Sequence, residues 1–416
     1  MDSDAPGFKV PRESLAMNAI IELQQPCRFR RSRALNAASI DNLMCALLRG
    51  EVMPWPYASG AGAIDDFLSR ADYHGVKPLL HERLNASNWP EALLQSLREQ
   101  ALAAAGWELR HRQLLMRTLA TLADIGIQPV LFKGTALAYS LYASPVLRAR
   151  GDTDLIVPPD SLTSTDAALT RLGFARDLAV AGEFVSYQAN YSCQADGTEP
   201  HTLDLHWRIN NSEVLANLFS YEELRASAQA LPKLSSQANG AGPVHALLLA
   251  CMHRATHKQN PMYVDGVAHY GGDRLIWLYD IHLLATLFDS GQWQAFVRLA
   301  EKKSLRAVCL EGMERARACF HTEFPQEVMT ALAREGIAEV PAIYLDGGRT
   351  RQQWMDFRAI AGAGNKLRFL RESLFPSEAY MRHKYPDARP GWLPWLYARR
   401  ALSGVMKKLR SVPTDL

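Results

Sequence analysis

Six cysteines in 416 residues, none of them in a CxxC pair, leave no zinc ribbon and no thioredoxin-type motif. Cys27, Cys45, Cys193, Cys251, Cys309 and Cys319 are scattered, which fits a reducing cytoplasm where a buried thiol acts as a small hydrophobe. No apolar run reaches the roughly 18 residues of a transmembrane helix. Residues 1–34 are polar and rich in arginine, with no apolar centre of the secretory-signal kind. An excess of one charge is also missing. With 46 basic and 43 acidic residues the net charge is +3, so bulk charge points neither to a nucleic-acid coat nor to an acidic tail. Internal repeats and low-complexity tracts are absent. What remains is 48% hydrophobic and 21% charged, a composition able to bury a full core, over a length that suggests two to three domains.

Helical patterns dominate from Ser39 to about residue 127. The longest lies between Trp107 and Ile127, where Leu109, Leu114, Leu115, Leu119 and Leu122 make most of one stripe. The character then changes. Pro129-Val-Leu-Phe reads as a short buried strand ending at Lys133-Gly134-Thr135, and Ala136 to Tyr142 returns to helix formers. Asp152-Thr-Asp-Leu-Ile-Val157 reads as a strand closed by Pro158-Pro159, and a helix at 161–172 stops at Gly173. Strand-like runs follow near 183–193 and at Thr202-Leu-Asp-Leu-His-Trp207. Residues 212–335 read as helical, and Gly60-Ala-Gly62 and Gly362-Ala-Gly364 as loops. The expected fold is α+β: a small mixed α/β core flanked by N-terminal and C-terminal helical regions. Boundaries are expected at 1–105 (irregular, then helical), 106–212 (the core), 213–340 (helical) and 341–416 (helical and basic).

Three carboxylates stand out. Asp152 and Asp154 are two apart on a predicted strand and so share a face. Asp204 points the same way as His206 on a second strand. If the strands are neighbours the three converge, an arrangement that is costly unless cations neutralise it. Oxygen donors suit Mg²⁺ or Mn²⁺ completed by phosphate oxygens. Upstream, Gly134 lets the backbone approach a ligand, and the helix start, the Thr135 hydroxyl and the Lys133 ammonium favour a phosphate. Arg148 and Arg150 are placed to reach phosphates from the other side, or form a solvated pair.

Phe132-Lys-Gly-Thr-Ala-Leu-Ala138, Tyr142, Arg148, Asp152-Thr-Asp-Leu-Ile-Val157 and Leu203-Asp-Leu-His-Trp207 resemble an uncharacterised nucleotidyltransferase family of the polymerase-β-like superfamily. His253, His257, Asp280 and Leu374-Phe-Pro-Ser-Glu-Ala-Tyr-Met381 resemble features of its helical portion and tail. The likeness covers roughly residues 100–400, with its specific motifs inside 132–207. Thr153 departs from the usual apolar residue between the paired aspartates, and 17 residues separate Gly134 from Asp152, longer than in many members. The resemblance implies a Mg²⁺-dependent transfer of a nucleoside monophosphate from a nucleoside triphosphate to a hydroxyl acceptor, with pyrophosphate release. Asp152, Asp154 and Asp204 would be the metal-binding and catalytic residues, and Lys133, Gly134, Thr135, Arg148 and Arg150 the nucleotide-binding ones.

Other readings stay open at this point. A catalytically silent nucleotide- or peptide-binding module would keep the same fold. A Mn²⁺-dependent nucleotide-sugar glycosyltransferase would use Asp152-Thr-Asp154 but leave Lys133 and Asp204 unexplained. His253 and His257, four apart on a helix, have metal-ligand spacing without the glutamate of a metalloprotease motif. They are expected to pack between helices or, with His206, to line the cleft. The acceptor is expected to be a small molecule, glycan or peptide. The C-terminal stretch from Gly391, with Arg399, Arg400, Lys407, Lys408 and Arg410, packs on the body or touches a membrane surface or a protein partner.

Overall fold

The computed structural model of the chain describes residues 36–410 apart from 58–60, 85–88, 179–181, 183, 195–199, 260–261, 265–266, 270–271, 335, 337 and 387–391. The arginine-rich N-terminal segment, Cys27 and Gly60 therefore lie outside the described residues. Four helices come first: α1 (Ala37–Leu48), α2 (Ala61–His74), α3 (Lys77–Arg83) and the 34-residue α4 (Glu91–Asp124). Next come β1 (Val130–Phe132), α5 (Lys133–Ser140), β2 (Asp152–Ile156), α6 (Leu162–Arg171), β3 (Ala175–Arg176), β4 (Gln188–Cys193) and β5 (His201–His206). Short helices α7 (Glu213–Ala216) and α8 (Tyr221–Ala226) lead to β6 (Gln229–Ala230) and β7 (Asn239–Gly240). The remainder is α9 (Pro243–His257), a hairpin of β8 (Met262–Val264) and β9 (Val267–His269), then α10 (Leu275–Thr286), α11 (Ser290–Lys302) and α12 (Arg306–Phe320). Last are α13 (Gln326–Leu332), α14 (Val340–Leu345), α15 (Arg349–Ala359), α16 (Ala363–Leu374), α17 (Glu378–Lys384) and α18 (Leu393–Arg410).

The architecture is mixed α and β, with helical regions at both ends of a seven-stranded sheet in the order β3-β4-β5-β2-β1-β7-β6. β2 and β5 run parallel, and β1 and β4 flank them antiparallel. Strand alternation decides which core each side chain joins. Val130, Phe132 and Ile156 pack against the helices from α9 onward, whereas Leu131, Leu155 and Val157 pack against α4 and α6. The sheet is thus covered on both faces, which is why β1 and residues 155–157, where β2 ends, read as continuous apolar runs. A third cluster joins α1–α4 to α10. Among the described residues, no helix is long and apolar enough to cross a membrane.

Gly173 takes φ +90° where α6 ends, as its position at the helix end predicts. Elsewhere the structure corrects the sequence reading. The helical pattern after residue 212 is interrupted by β6 and β7, which complete the sheet, and by the β8–β9 hairpin. Two-residue strands carry no periodicity to detect. β7 joins β1 at Leu131↔Gly240, where a Cβ would sit 3.1 Å from Leu231 and 3.3 Å from Ala136. A bare backbone is what fits there. The two expected glycine loops are largely helical: Ala61 opens α2, and Ala363 opens α16 after Gly362 at φ +82°.

The long helix begins at Glu91 rather than Trp107, and its inward stripe keeps the predicted Leu115, Leu119 and Leu122 but not Leu109. Leu109 is 60% exposed, while Glu108, His111, Leu115, Thr118 and Leu122 are buried. Their spacing of three and four is the helical repeat. Three polar residues occupy the stripe because each finds a partner: His111 at Thr153 on the sheet, Glu108 at Arg150 and Tyr139, and Thr118 at the Leu114 carbonyl of its own helix.

Candidate active site

The site forms where β1 ends and β2 begins. Residue 133 must turn the chain from strand into helix α5, and it does so in the left-handed region with φ +56°. That conformation falls on Lys133, not on Gly134, so the glycine is not where the turn needs its freedom. The turn aims the Lys133 amine back across the sheet, where Nζ donates to Asp154 Oδ1 at 2.6 Å. β2 pairs with β5 so that Asp154 stands beside Asp204 and Asp152 beside Thr202. His206, two residues past Asp204 on the same face, places Nε2 2.9 Å from Asp154 Oδ1. On the outer neighbour β4, Gln188 Nε2 lies 3.3 Å from Asp204 Oδ2.

These neighbours give the three carboxyls different chemistry. Burial alone would raise Asp154, but the Lys133 charge and the His206 hydrogen bond reverse this and hold it well below the usual carboxylate range. Among the described residues no salt bridge reaches Asp204, and the more distant Lys133 charge lowers it only in part. Burial and repulsion from Asp154 and Asp152 push its carboxyl up to about 7. Asp152, at the solvent-open mouth, is pushed up to about 6 by desolvation and by the Asp154 charge. Donor atoms of Asp154, Asp204 and His206 all lie within 4.8 Å of one another, so these three could hold a metal ion. A surface cavity of about 1040 Å³, lined by residues that include Gln128, Asp160 and Tyr221, has none of the three aspartates in its wall.

Three residues expected to grip phosphate are occupied by protein. The Arg148 guanidinium is buried and forked onto Asp280 of α10, with Nη2 at 2.7 Å and Nε at 3.0 Å, and Tyr142 donates to the same carboxylate at 2.7 Å. Arg150 pairs with Glu108 at 2.7 Å and donates through Nε to Thr135 Oγ1 at 3.0 Å. The Thr135 hydroxyl is itself buried, 2.8 Å from Thr153 Oγ1. The reason is common to all three: a buried charge or hydroxyl needs a partner, and the nearest lay in the fold.

That set explains Thr153 in place of an apolar residue. His111 Nε2 is 2.7 Å from Thr153 Oγ1 and its ring is stacked under Trp107 at 4.4 Å. A chain of polar contacts thus runs from α4 through His111, Thr153, Thr135 and Arg150 to Glu108, with Tyr139 also donating to Glu108 at 2.5 Å. It pins the α5 start and the β2 backbone together beneath the carboxylates. Sequence reasoning missed Glu108, His111 and Thr153 as parts of the site's support. The available signal was a polar pair at helical spacing on an apolar stripe.

His253 and His257 of α9 lie with their rings 4.6 Å apart and tilted, and Trp277 meets His253 edge-on at 5.4 Å. Burial holds both imidazoles neutral. His257 falls to about 4 and His253 well below its ordinary value, with the Lys133 charge adding to both shifts. His111 is lowered well below its ordinary value too, chiefly by burial and then by Arg150. A histidine whose folded pKa is depressed contributes stability that is present above the unfolded value, about 6.5, and lost as pH falls towards the folded one. The folded protein is therefore expected to lose about 1.4 kcal/mol per pH unit for each such histidine as pH falls below 6.5. Thermal melts of His111→Asn between pH 8 and pH 5 should show a shallower decline than wild type. A parallel decline would mean His111 ionises equally in both states.

A family model described as an uncharacterised nucleotidyltransferase matches residues 61–321. That span contains the β1–α5 turn, all three aspartates, and the Arg148–Asp280 pair. No curated protein matches the chain.

Proposed function

Because this chain belongs to that uncharacterised nucleotidyltransferase family, we propose that it moves a nucleoside monophosphate group from a nucleoside triphosphate to a hydroxyl acceptor, releasing pyrophosphate. The observation that carries the reading is the register of β2 on β5, which sets Asp154 beside Asp204 with Lys133 closing the third side.

The donors fit a hard divalent cation, Mg²⁺ or Mn²⁺. Asp154 and Asp204 supply oxygen and His206 orients Asp154, while Asp152, outside that group of donors, would join it from the mouth. Two carboxyls raised by mutual repulsion are what a cation would relieve. Bound there, the cation would supply charge neutralisation for the phosphates and the departing pyrophosphate. The chain's own residues position and exchange a proton. The acceptor oxygen forms a bond to the α-phosphorus as the bond to the β-phosphate oxygen breaks, and the acceptor proton passes to the Asp204 carboxylate. Lys133 and the backbone N–H groups at the start of α5, from Gly134 onward, face the phosphates. His253 and His257 form the wall contributed by α9. The acceptor is taken to be a small molecule, glycan or peptide. The reaction is placed in the cytoplasm, in keeping with five free thiols among the described residues.

Calorimetric titration with each nucleoside triphosphate and Mg²⁺ tests this directly. Wild type should bind at least one triphosphate only with metal, and Asp152→Asn/Asp154→Asn should bind at least about tenfold more weakly. Binding that survives in the double variant would put the nucleotide elsewhere. Binding with no pyrophosphate release across an acceptor screen would favour a silent nucleotide-binding module.

A further inference from the structure

The near-zero net charge hides a strong asymmetry. Residues 349–416 hold 14 Lys and Arg against five Asp and Glu, a net +9, which leaves residues 1–348 at −6. The same region carries half of the exposed large apolar side chains: eight of the sixteen among the described residues. Leu367 is 70% exposed, and Leu370, Leu374, Phe375, Trp392 and Trp395 are also open to solvent.

These side chains belong to an ordered unit rather than a loose tail. α15 is tied to the core through Asp356, which accepts from Ser212 Oγ at 2.7 Å and from Tyr344 Oη at 2.9 Å. α16 is tied to the strand edge through Glu372, which accepts the Phe184 N–H at 3.1 Å just before β4. α18 is held on the end of α16 by Arg400, donating to the Ser373 carbonyl at 2.7 Å, and by Tyr397, whose ring meets Phe375 at 5.4 Å. Met381, Tyr385 and Leu396 close a small core of their own. The unit thus buries enough to be held in place and still presents leucines and tryptophans outward among cations.

We propose that α16–α18 is a docking surface for an anionic lipid bilayer. Within α18, Leu393 to Arg410 contains five basic and no acidic residues. Trp392 and Trp395 stand at its start, 6.3 Å apart. A basic helix with tryptophans and leucines beside the cations is the composition of a helix lying in the headgroup plane. There the apolar side chains enter the acyl boundary and the lysines and arginines meet lipid phosphates. The leucines decide against a nucleic acid. Leu367, Leu370 and Leu374 have no ring to stack on a base, whereas a single-strand binder interleaves aromatics with its cations. Guanidinium heads also lie over aromatic rings here, Arg358 over Trp354 at 4.6 Å and Arg399 over Tyr385 at 4.8 Å, so cations and rings share this face. This proposal stands independently of the transferase reading.

The test is co-sedimentation of the full chain with vesicles of phosphatidylcholine alone or with added phosphatidylglycerol. Binding to the anionic vesicles should exceed binding to neutral ones by about tenfold and fall with added salt. Trp392→Ala/Trp395→Ala and Lys407→Glu/Lys408→Glu/Arg410→Glu should each reduce it by about tenfold with the melting temperature unchanged. Should a variant fail to fold, wild-type tryptophan fluorescence still decides, because brominated acyl chains in the anionic vesicles must quench it. Absence of quenching, equal binding to both vesicles, or tighter binding to a single-stranded RNA oligonucleotide than to anionic vesicles would overturn the proposal.

Discussion

Asp204→Asn is expected to stabilise the metal-free protein at pH 8 while removing nucleotidyl transfer, whereas Asp154→Asn should lose both stability and transfer. The two aspartates are neighbours in register, yet their surroundings have opposite sign. The folded pKa of Asp204, about 7, lies above its unfolded value because burial and two like charges oppose ionisation. Such a group adds stability below the unfolded value and loses it as pH rises through the folded one. At pH 8 the ionised carboxylate is a net cost. Asparagine keeps the shape and removes the charge, for a gain of about 1–2 kcal/mol once partial solvent access is allowed for. Asp154 is the converse: its carboxylate is the partner of Lys133 at 2.6 Å and of His206. Removing it strands a buried ammonium, at a cost on the order of 3 kcal/mol. Both variants should lower transfer at least about 1000-fold, the equivalent of about 4 kcal/mol in the barrier. Denaturant midpoints of metal-free protein at pH 8 and pH 5, beside pyrophosphate release at saturating Mg²⁺, measure all of this. An Asp204→Asn protein less stable than wild type at pH 8 would show that Asp204 is compensated in the fold. It would then not be a charge held ready for a cation.

The second large effect concerns a residue that never meets the nucleotide in this arrangement. Arg148→Ala should destabilise the protein by about 3–5 kcal/mol, because it leaves the Asp280 carboxylate buried with Tyr142 as its remaining side-chain partner. The pair is among the most enclosed in the molecule, with side-chain exposures of 7% and 3%. It joins the loop before β2 to α10, 132 residues away in sequence. Arg148→Lys should recover only part of the loss, since an ammonium cannot reproduce the two-pronged contact. Arg148→Met/Asp280→Leu, which removes both charges, should recover most of it. Denaturant unfolding of the four proteins checks the order. Calorimetry on Arg148→Ala under conditions where it stays folded should give triphosphate affinity within about threefold of wild type. A loss of binding with no loss of stability would return Arg148 to the phosphates.

Much of this site could be read before any coordinates. Asp152, Asp154 and Asp204 were legible because a strand repeats every two residues, so which side chains share a face is a local property. The strand at 130–132, the turn at 133–135 and the stop at Gly173 were legible for the same reason: each depends on a few consecutive residues. Thr153 looked like a blemish in the strand, and its partners could not be seen. His111 lies 42 residues earlier and Thr135 18 residues earlier. Leu109 was placed inside and Glu108 was not noticed, since an apolar stripe is scored by residue type alone. The buried glutamate is tolerated only because Arg150 and Tyr139 arrive from elsewhere. β6 and β7 were invisible because strands of two residues are made by their neighbours and not by their own pattern.

By itself, then, the sequence determined the alternation of strand and helix around 130–206, the shared faces of the acidic residues, and the excess of positive charge at the C-terminal end. Only the tertiary structure decided that β5 lies beside β2, so that Asp204 meets Asp154. It alone sent Arg148 to Asp280 and Arg150 to Glu108 instead of leaving them for a ligand, and it gave the Lys133 ion pair to Asp154 rather than to Asp204. The physical reason is range. Backbone periodicity is fixed by adjacent residues, but a buried charge takes whichever opposite charge the folded chain brings within a few ångströms, and that is set by strand order and helix packing across more than a hundred residues.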